Sequence, residues 1–254
     1  DVPANIADYR VSREATSADK WRAMLSSARW LPVVPYVRMM SASGSLAMGS
    51  SALESDWDMF VIVRSGRLYT ARLGLLAVAW LCGRLRTKRM KTAPDRFCFN
   101  HIITTDSLSM RHRSLYTAQA ISCLVPFYDS WGYAARFRQA NAWVGDYSAR
   151  AGGGFYVRRE LSHSRFLGAI RWWGEVFLNT FIGTLIERGL RRWMQARIRA
   201  NPETHRAGGR IIADDRELEF HPRSFEAVAL ARYNETLTRI GLGQYRQRDS
   251  GLTR

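Results

Sequence analysis

Two aspartates one residue apart, Asp56 and Asp58, stand directly before an apolar run, Met59–Val63. The run has the composition of a β-strand. Because side chains alternate along a strand, the pattern predicts both carboxylates on one face, with their Cα atoms roughly 6–7 Å apart. Such carboxylates can share a hard cation such as Mg²⁺, which takes oxygen ligands and completes its shell with water and phosphate oxygens. We therefore predict both aspartates as metal ligands.

A Gly-Ser pair, Gly44 and Ser45, precedes the aspartates by a spacer of ten residues. It follows a predicted first strand, Tyr36–Ala42, and would form the turn that leaves it. Glycine lacks a Cβ, so the backbone can approach a phosphate closely there. A short helix predicted over Leu46–Leu53 would direct its first amide groups to the same anion. A Gly-Ser turn and an Asp-x-Asp pair are each common alone, and only their combination with a strand is specific.

Together, the Gly-Ser pair, the spacer and the acidic–hydrophobic–acidic entry into a strand resemble the signature of the DNA polymerase β-like nucleotidyltransferase superfamily. The chain is also similar to uncharacterised prokaryotic nucleotidyltransferase-domain proteins, in the turn Gly66–Leu68 and the segment Trp143–Tyr147. The strong part of the resemblance covers about residues 36–106. It implies an α+β fold with a small mixed or antiparallel sheet and flanking helices, followed by a mainly helical C-terminal region.

The resemblance also implies an enzyme that transfers a nucleoside monophosphate from a nucleoside triphosphate (NTP) to a hydroxyl group and releases pyrophosphate. Mg²⁺ or Mn²⁺ would be the cofactor, held by the two aspartates. Gly44 and Ser45 would hold the β- and γ-phosphates. Arg64 and Arg67, in the turn after the aspartate strand, and the basic cluster over residues 84–91 are predicted to contact the triphosphate or the acceptor.

A neighbouring strand supplies a third carboxylate in that superfamily, and the predicted third strand here, Arg96–Thr105, contains no acid. Asn100 and His101 stand where the acid is expected, and Asp106 follows the strand. An asparagine can bind a metal but cannot act as a base, whereas a histidine titrates near neutral pH. We predict Asn100 as the third catalytic residue beside the aspartates. The alternative is a catalytically weak protein of this fold that binds nucleotide or RNA.

The composition points to a polyanionic partner. The 254 residues include 38 Lys and Arg against 22 Asp and Glu, a net charge of +16, which favours nucleic acid, nucleotides or an anionic membrane. A basic run over residues 83–96 fits a phosphate- or RNA-facing loop and a solvated loop equally well. We expect an RNA end, as in tRNA, to be the acceptor ahead of a protein hydroxyl or a small molecule.

The cysteines and histidines argue against two kinds of site. Cys82, Cys98 and Cys123 show no pairing pattern, so we expect a reducing compartment and no disulfide-linked partner. The five histidines lack the spacing of zinc ligands. No apolar signal sequence is found in the first thirty residues, and a cytoplasmic protein is expected.

Ala151–Gly154 is the clearest linker. It predicts a nucleotidyltransferase domain over residues 17–150 and a helical domain over residues 151–243. Within the second, one long helix or a broken pair is predicted over Ser164–Arg199. Its aromatic stripe is expected to face the core and its basic end to face solvent or RNA. A peripheral membrane protein that binds an anionic membrane through this segment is the less favoured alternative.

The other predicted elements are less closely tied to function. Residues 1–16 are expected to be loosely ordered, and a hairpin is predicted over residues 210–221. Further helices are predicted over residues 17–30, 68–82, 114–126, 130–147 and 222–240.

Overall fold

A six-stranded mixed sheet forms the centre of the molecule in the computed structural model, which describes residues 5–87, 90–147, 159–161, 164–222 and 224–245. The strand order is β4-β1-β2-β3-β6-β5. Strands β2 and β3 are parallel, and every other neighbouring pair is antiparallel. This mixed sheet with flanking helices confirms the predicted α+β class. The strands are β1 Val37–Ala42, β2 Trp57–Val63, β3 Phe97–Thr104, β4 Val125–Asp129, β5 Arg210–Ala213 and β6 Glu217–His221.

Helices cover both faces of the sheet. They are α1 Ile6–Ala28, α2 Gly44–Ala47, α3 Leu68–Leu81, α4 Leu115–Ser122, α5 Tyr133–Ala140, α6 Arg165–Leu178, α7 Phe181–Arg199 and α8 Glu226–Arg239. The prediction of a loosely ordered N-terminus is wrong from Ile6 onward. The side chain of Asn5 accepts a hydrogen bond from the amide of Asp8, and this cap begins α1 well before Ser17.

Strand β2 is buried on both faces, which is why its sequence reads as a continuous apolar run. Met59 and Val61 belong to a cluster with residues of α1 and α3. Phe60 and Ile62 belong to a second cluster on the opposite face, where the rings of Phe60 and Phe137 of α5 lie 4.9 Å apart. The strand that begins beside the aspartates is therefore fixed from both sides.

The segment predicted as two helices over residues 114–147 contains an unpredicted strand. Helix α4 ends at Ser122, and β4 then pairs with β1 at the edge of the sheet. Pro126 is compatible with this place because an edge strand has one side without ladder partners. Asp129 ends the strand and accepts hydrogen bonds from the amides of Tyr133 and Ala134, which begin α5.

The hairpin predicted over residues 210–221 is confirmed, and β6 joins the main sheet beside β3. His101 is opposite Glu219, and Ile103 is opposite Glu217. The sheet therefore combines strands from both sides of the predicted domain boundary. The boundary itself, with its glycine-rich linker, lies outside the described residues. The division into residues 17–150 and 151–243 stays a prediction.

Helices α6 and α7 form the broken pair, interrupted at Asn179 and Thr180. The prediction that their aromatic stripe faces the core is wrong. Trp173, Phe177 and Phe181 are 65%, 59% and 74% exposed. The other side of the pair packs against the core through Leu178, Leu190 and Met194. Glu175 and Glu187 add hydrogen bonds to the rest of the fold. No helix within the described part of the chain is long and apolar enough to cross a membrane.

Candidate metal and nucleotide site

Two carboxylates and a thiol meet where β2 and β3 begin. Asp58 is opposite Cys98 in the parallel pair, and Asp56 directly precedes β2. One ligand atom each of Asp56, Asp58 and Cys98 lies within 4.8 Å of the others. The structure thus brings the two predicted metal ligands together. Two carboxylate oxygens at this distance suit a hard divalent cation.

The Gly-Ser turn lies against the second aspartate. The amide of Ser43 donates to the carbonyl of Asp58 at 2.9 Å, which places Gly44 beside the carboxylate. Gly44 has a φ of +60°, and a Cβ added to it would lie 2.6 Å from Oδ2 of Asp58. Any residue with a Cβ at this position would displace the Asp58 carboxylate, so only glycine fits here. Ser45 follows in α2, which is a single turn starting at Gly44 and not at Leu46 as predicted.

Asn100 contacts the same carboxylate from β3. Its Nδ2 donates to Oδ1 of Asp58 at 2.7 Å. Asn100 therefore orients a predicted metal ligand, and it cannot accept a proton as a carboxylate would. Burial, with a further contribution from the neighbouring Asp56 carboxylate, raises the pKa of Asp58 to about 7.

Arg86 is the residue of the predicted basic run that contacts the site. Its guanidinium forms an ion pair with Asp56 and lies 3.9 Å from Sγ of Cys98. A positive charge thus already stands beside the acidic pair. Burial raises the pKa of the Cys98 thiol, so the sulfur stays protonated at neutral pH. The ion pair of Arg86 with Asp56 connects the basic run over residues 83–96 with the aspartates.

Lys20 positions the segment that leads into the site. Its Nζ is buried, donates to the carbonyl of Ser55 at 2.9 Å and forms a 2.9 Å ion pair with Asp95. One ammonium group of α1 therefore fixes the residue before Asp56 and the end of the basic loop together. The sequence offers no signal for this role, because Lys20 looks like an ordinary polar position of an amphipathic helix.

Arg64 and Arg67 do not reach the aspartates. They follow the last residue of β2, and Asp58 stands near its first, roughly 20 Å away at the usual rise per residue. Arg64 donates to Oδ1 of Asn179 at 3.0 Å, and both guanidiniums lie over the ring of Tyr36. The predicted contact with a triphosphate held at the aspartates is therefore corrected. These arginines fix the junction of α6 and α7.

Two other residues considered for the third acidic position are also engaged elsewhere. Asp106 lies beyond the far end of β3 and accepts a 2.6 Å hydrogen bond from the hydroxyl of Thr104. Nε2 of His101 lies 3.0 Å from Oε1 of Glu217 on β6. Neither side chain is placed to take a proton from a hydroxyl at Asp58.

A second group of possible ligands lies further across the sheet, in His101, Glu219 and His221. Sequence spacing could not reveal it, because the hairpin brings His221 beside β3. Glu219 already accepts a 2.9 Å bond from Nε of Arg210, which also pairs with Glu226. Burial lowers the pKa of His221 to about 4, so its ring is neutral. We interpret Arg210, Glu219 and Glu226 as a buried charge network that holds the hairpin.

Comparison with protein-family models, with curated proteins and with solved structures finds no match to this chain.

Proposed function

We propose that this protein is a metal-dependent nucleotidyltransferase with the nucleotidyltransferase fold, which transfers a nucleoside monophosphate from an NTP to a hydroxyl acceptor and releases pyrophosphate. The observation that carries this proposal is the close approach of Gly44 to Asp58, with Asp56 beside it. A glycine turn packed on an Asp-x-Asp pair at the start of a strand is the arrangement that the resemblance implies.

Asp56 and Asp58 would hold Mg²⁺ or Mn²⁺. A bound cation of this kind neutralises charge on a triphosphate and activates an attacking hydroxyl. Asp58 must be ionised to bind it, and its hydrogen bond from Asn100 keeps Oδ1 oriented while Oδ2 faces the Gly44 turn. The turn provides a surface without a Cβ on which phosphate oxygens can rest.

Arg86 would replace Arg64 and Arg67 as the phosphate-binding arginine. In the absence of a cation its guanidinium compensates the charge of Asp56. With a metal at the aspartates, Arg86 would lose this partner and its guanidinium would be available to the negatively charged triphosphate. Arginine suits this task because its planar guanidinium can donate to two phosphate oxygens at once.

An RNA end is the acceptor that we favour. The net charge of +16 and the contact of the basic loop with the site both support a polyanionic substrate. Protein hydroxyls and small molecules are the other classes of acceptor.

The proposal is tested by incubating the protein with each labelled NTP, Mg²⁺ or Mn²⁺, and total cellular RNA or protein. We expect one fraction to gain label in a reaction that EDTA stops. Asp58→Asn should reduce incorporation by about 10³-fold or more, because the metal loses a charged ligand. Asp19→Asn, an exposed change on α1, is the matched control. Undiminished transfer by the folded Asp58→Asn protein would contradict the assignment.

A second candidate function is nucleotide or RNA binding without efficient transfer. The specific observation in its favour is Asn100, which stands where a third carboxylate is expected and already donates to Asp58. Calorimetry with an NTP and Mg²⁺, followed by an assay for pyrophosphate, separates the two functions. Binding without pyrophosphate release would favour the second.

A further inference from the structure

The outer surface of α6 and α7 is unusually rich in exposed large apolar side chains. Trp173, Phe177 and Phe181 are more than half exposed, and three further aromatic residues of these helices share that property. A run of such residues on neighbouring helices is more than scattered surface hydrophobicity. We call this surface the aromatic face, defined by Phe166, Trp172, Trp173, Phe177, Phe181 and Trp193.

The opposite sides of both helices are fixed to the fold by half-buried carboxylates. Glu175 of α6 accepts hydrogen bonds from the amide of Tyr36 and from both terminal nitrogens of Arg38, at 2.8–2.9 Å. Glu187 of α7 accepts from the amides of Tyr69 and Thr70 in the first turn of α3, at 2.9 and 2.8 Å. The outward orientation of the aromatic face is therefore a property of the folded chain.

The exposed surface of the two helices is also free of negative charge. Glu175 and Glu187 are the only acids between residues 165 and 199, and both are turned inward. Exposed arginines accompany the aromatic face, at positions 165, 188, 192, 197 and 199. Aromatic anchors flanked by arginines match the apolar interior and the negative headgroups of an anionic lipid surface.

We propose that the aromatic face binds the surface of an anionic lipid bilayer, with α6 and α7 lying in the interfacial plane. Exposed aliphatic side chains such as Ile170, Ile182 and Leu185 favour lipid over nucleic acid, because they cannot stack on bases as aromatic rings do. A second copy of the chain would bring the same arginines against each other. Tryptophan is a preferred residue at the depth of lipid headgroups.

This orientation leaves the candidate site accessible. The junction of α6 and α7 contacts the end of β2, through Asn179 and Arg64, and the aspartates lie at the other end of that strand. A membrane on the aromatic face therefore does not cover Asp58. The lipid proposal is independent of the proposed enzymatic activity.

The proposal is tested by flotation of the full chain with phosphatidylcholine vesicles, with and without phosphatidylglycerol. We expect binding to the mixed vesicles that weakens as salt rises, and quenching of tryptophan fluorescence by brominated lipid. Trp173→Ser with Phe177→Ser should weaken binding by about tenfold or more. Trp80→Ser with Leu81→Ser removes two equally exposed residues of α3 and should leave binding unchanged.

The charge contribution has its own test. Arg188→Gln with Arg192→Gln should weaken binding to the mixed vesicles by about tenfold, since each arginine near an anionic surface adds to the attraction. Arg10→Gln with Arg22→Gln on α1 removes the same charge elsewhere and is the control.

Three results would overturn the proposal. The first is no flotation with mixed vesicles at low salt. The second is flotation that the Trp173/Phe177 variant retains in full. The third is a concentration-dependent dimer, seen by size-exclusion chromatography, that this variant dissociates while vesicle binding is absent, which would assign the aromatic face to a second copy.

Discussion

At the scale of single residues, Gly44 and Asp58 constrain each other. The glycine adopts a φ of +60° and leaves no room for a Cβ beside Oδ2 of Asp58. The close approach keeps the carboxylate in a confined setting, where burial and the Asp56 charge raise its pKa to about 7. Backbone conformation and carboxylate chemistry are thus linked at one contact.

Gly44→Ala should weaken metal binding by more than the strain of alanine at a positive φ accounts for. Alanine at a positive φ costs about 1 kcal/mol of stability, and here it also displaces Asp58. Gly49→Ala is the matched control, because Gly49 has a φ of +66° and no atom within 4 Å of an added Cβ. Calorimetry with Mn²⁺ should show a loss of about tenfold or more for Gly44→Ala only. Equal affinities in the two variants would contradict the close packing.

Asp58→Asn should stabilise the metal-free protein at high pH. The folded-state pKa of about 7 lies above the ordinary value of 3.8, so the ionised carboxylate disfavours folding. The loss of folding stability that this causes reaches its full size above pH 7 and disappears as the pH falls towards 4. The variant should therefore be more stable at pH 8, by up to about 4 kcal/mol from the size of the pKa shift, and nearly equal to wild type at pH 4.

Urea unfolding at pH 4, 6 and 8 measures this difference. Asp19→Asn, at an exposed position, should show no such trend. If the wild type were more stable than Asp58→Asn at pH 8, the Asp58 carboxylate would not be confined.

At the scale of secondary structure, the orientation of α6 shows what helical periodicity cannot decide. The periodicity identifies an apolar stripe and does not say which side meets the protein. In α6 the side opposite the stripe faces the protein, because Glu175 on that side accepts hydrogen bonds from the amide of Tyr36 and the guanidinium of Arg38. Tyr36 itself has a φ of +69°. These partners lie far away along the chain, so no local pattern contains them.

Glu175→Gln should loosen α6 from the sheet. The Arg38–Glu175 ion pair is 11% and 17% exposed, and its loss leaves a guanidinium poorly compensated. We expect a destabilisation of about 2–4 kcal/mol in urea unfolding. Glu14→Gln, which breaks the exposed Arg10–Glu14 pair, should cost less than about 1 kcal/mol. Comparable losses in both variants would mean that Glu175 does not anchor the helix.

At the scale of the whole molecule, the sequence predicts what depends on neighbours in the chain. Strands β1, β2 and β3 and helix α3 follow from local composition and period, and the resemblance to the nucleotidyltransferase signature adds the pairing of a glycine turn with Asp58. The position of Arg86 does not, because it depends on how a loop folds back to Asp56. The sequence places Arg64 and Arg67 correctly in the turn after β2, but proximity in sequence does not show that this turn lies at the far end of the strand from the aspartates.

The sequence predicts β6 as part of a hairpin but does not predict its pairing with β3. This pairing provides the next prediction: a fragment of residues 1–147 should not fold as a monomer. It lacks β6 and would expose the edge of β3, with Ile102 and Ile103, to water and to other chains.

Size-exclusion chromatography and urea unfolding of the fragment, beside the full chain, measure this. We expect aggregation and no cooperative transition. A monomeric fragment with cooperative unfolding would instead support an independent domain over residues 17–150.

The late position of β6 also has a consequence for biosynthesis. A ribosome releases the aspartates and the glycine turn long before Glu217–His221 emerge. Until then the sheet ends at β3, and the nascent chain carries the unpaired edge of β3 while residues 105–216 are synthesised. Completion of the sheet that carries the aspartates therefore waits for the synthesis of Glu217–His221.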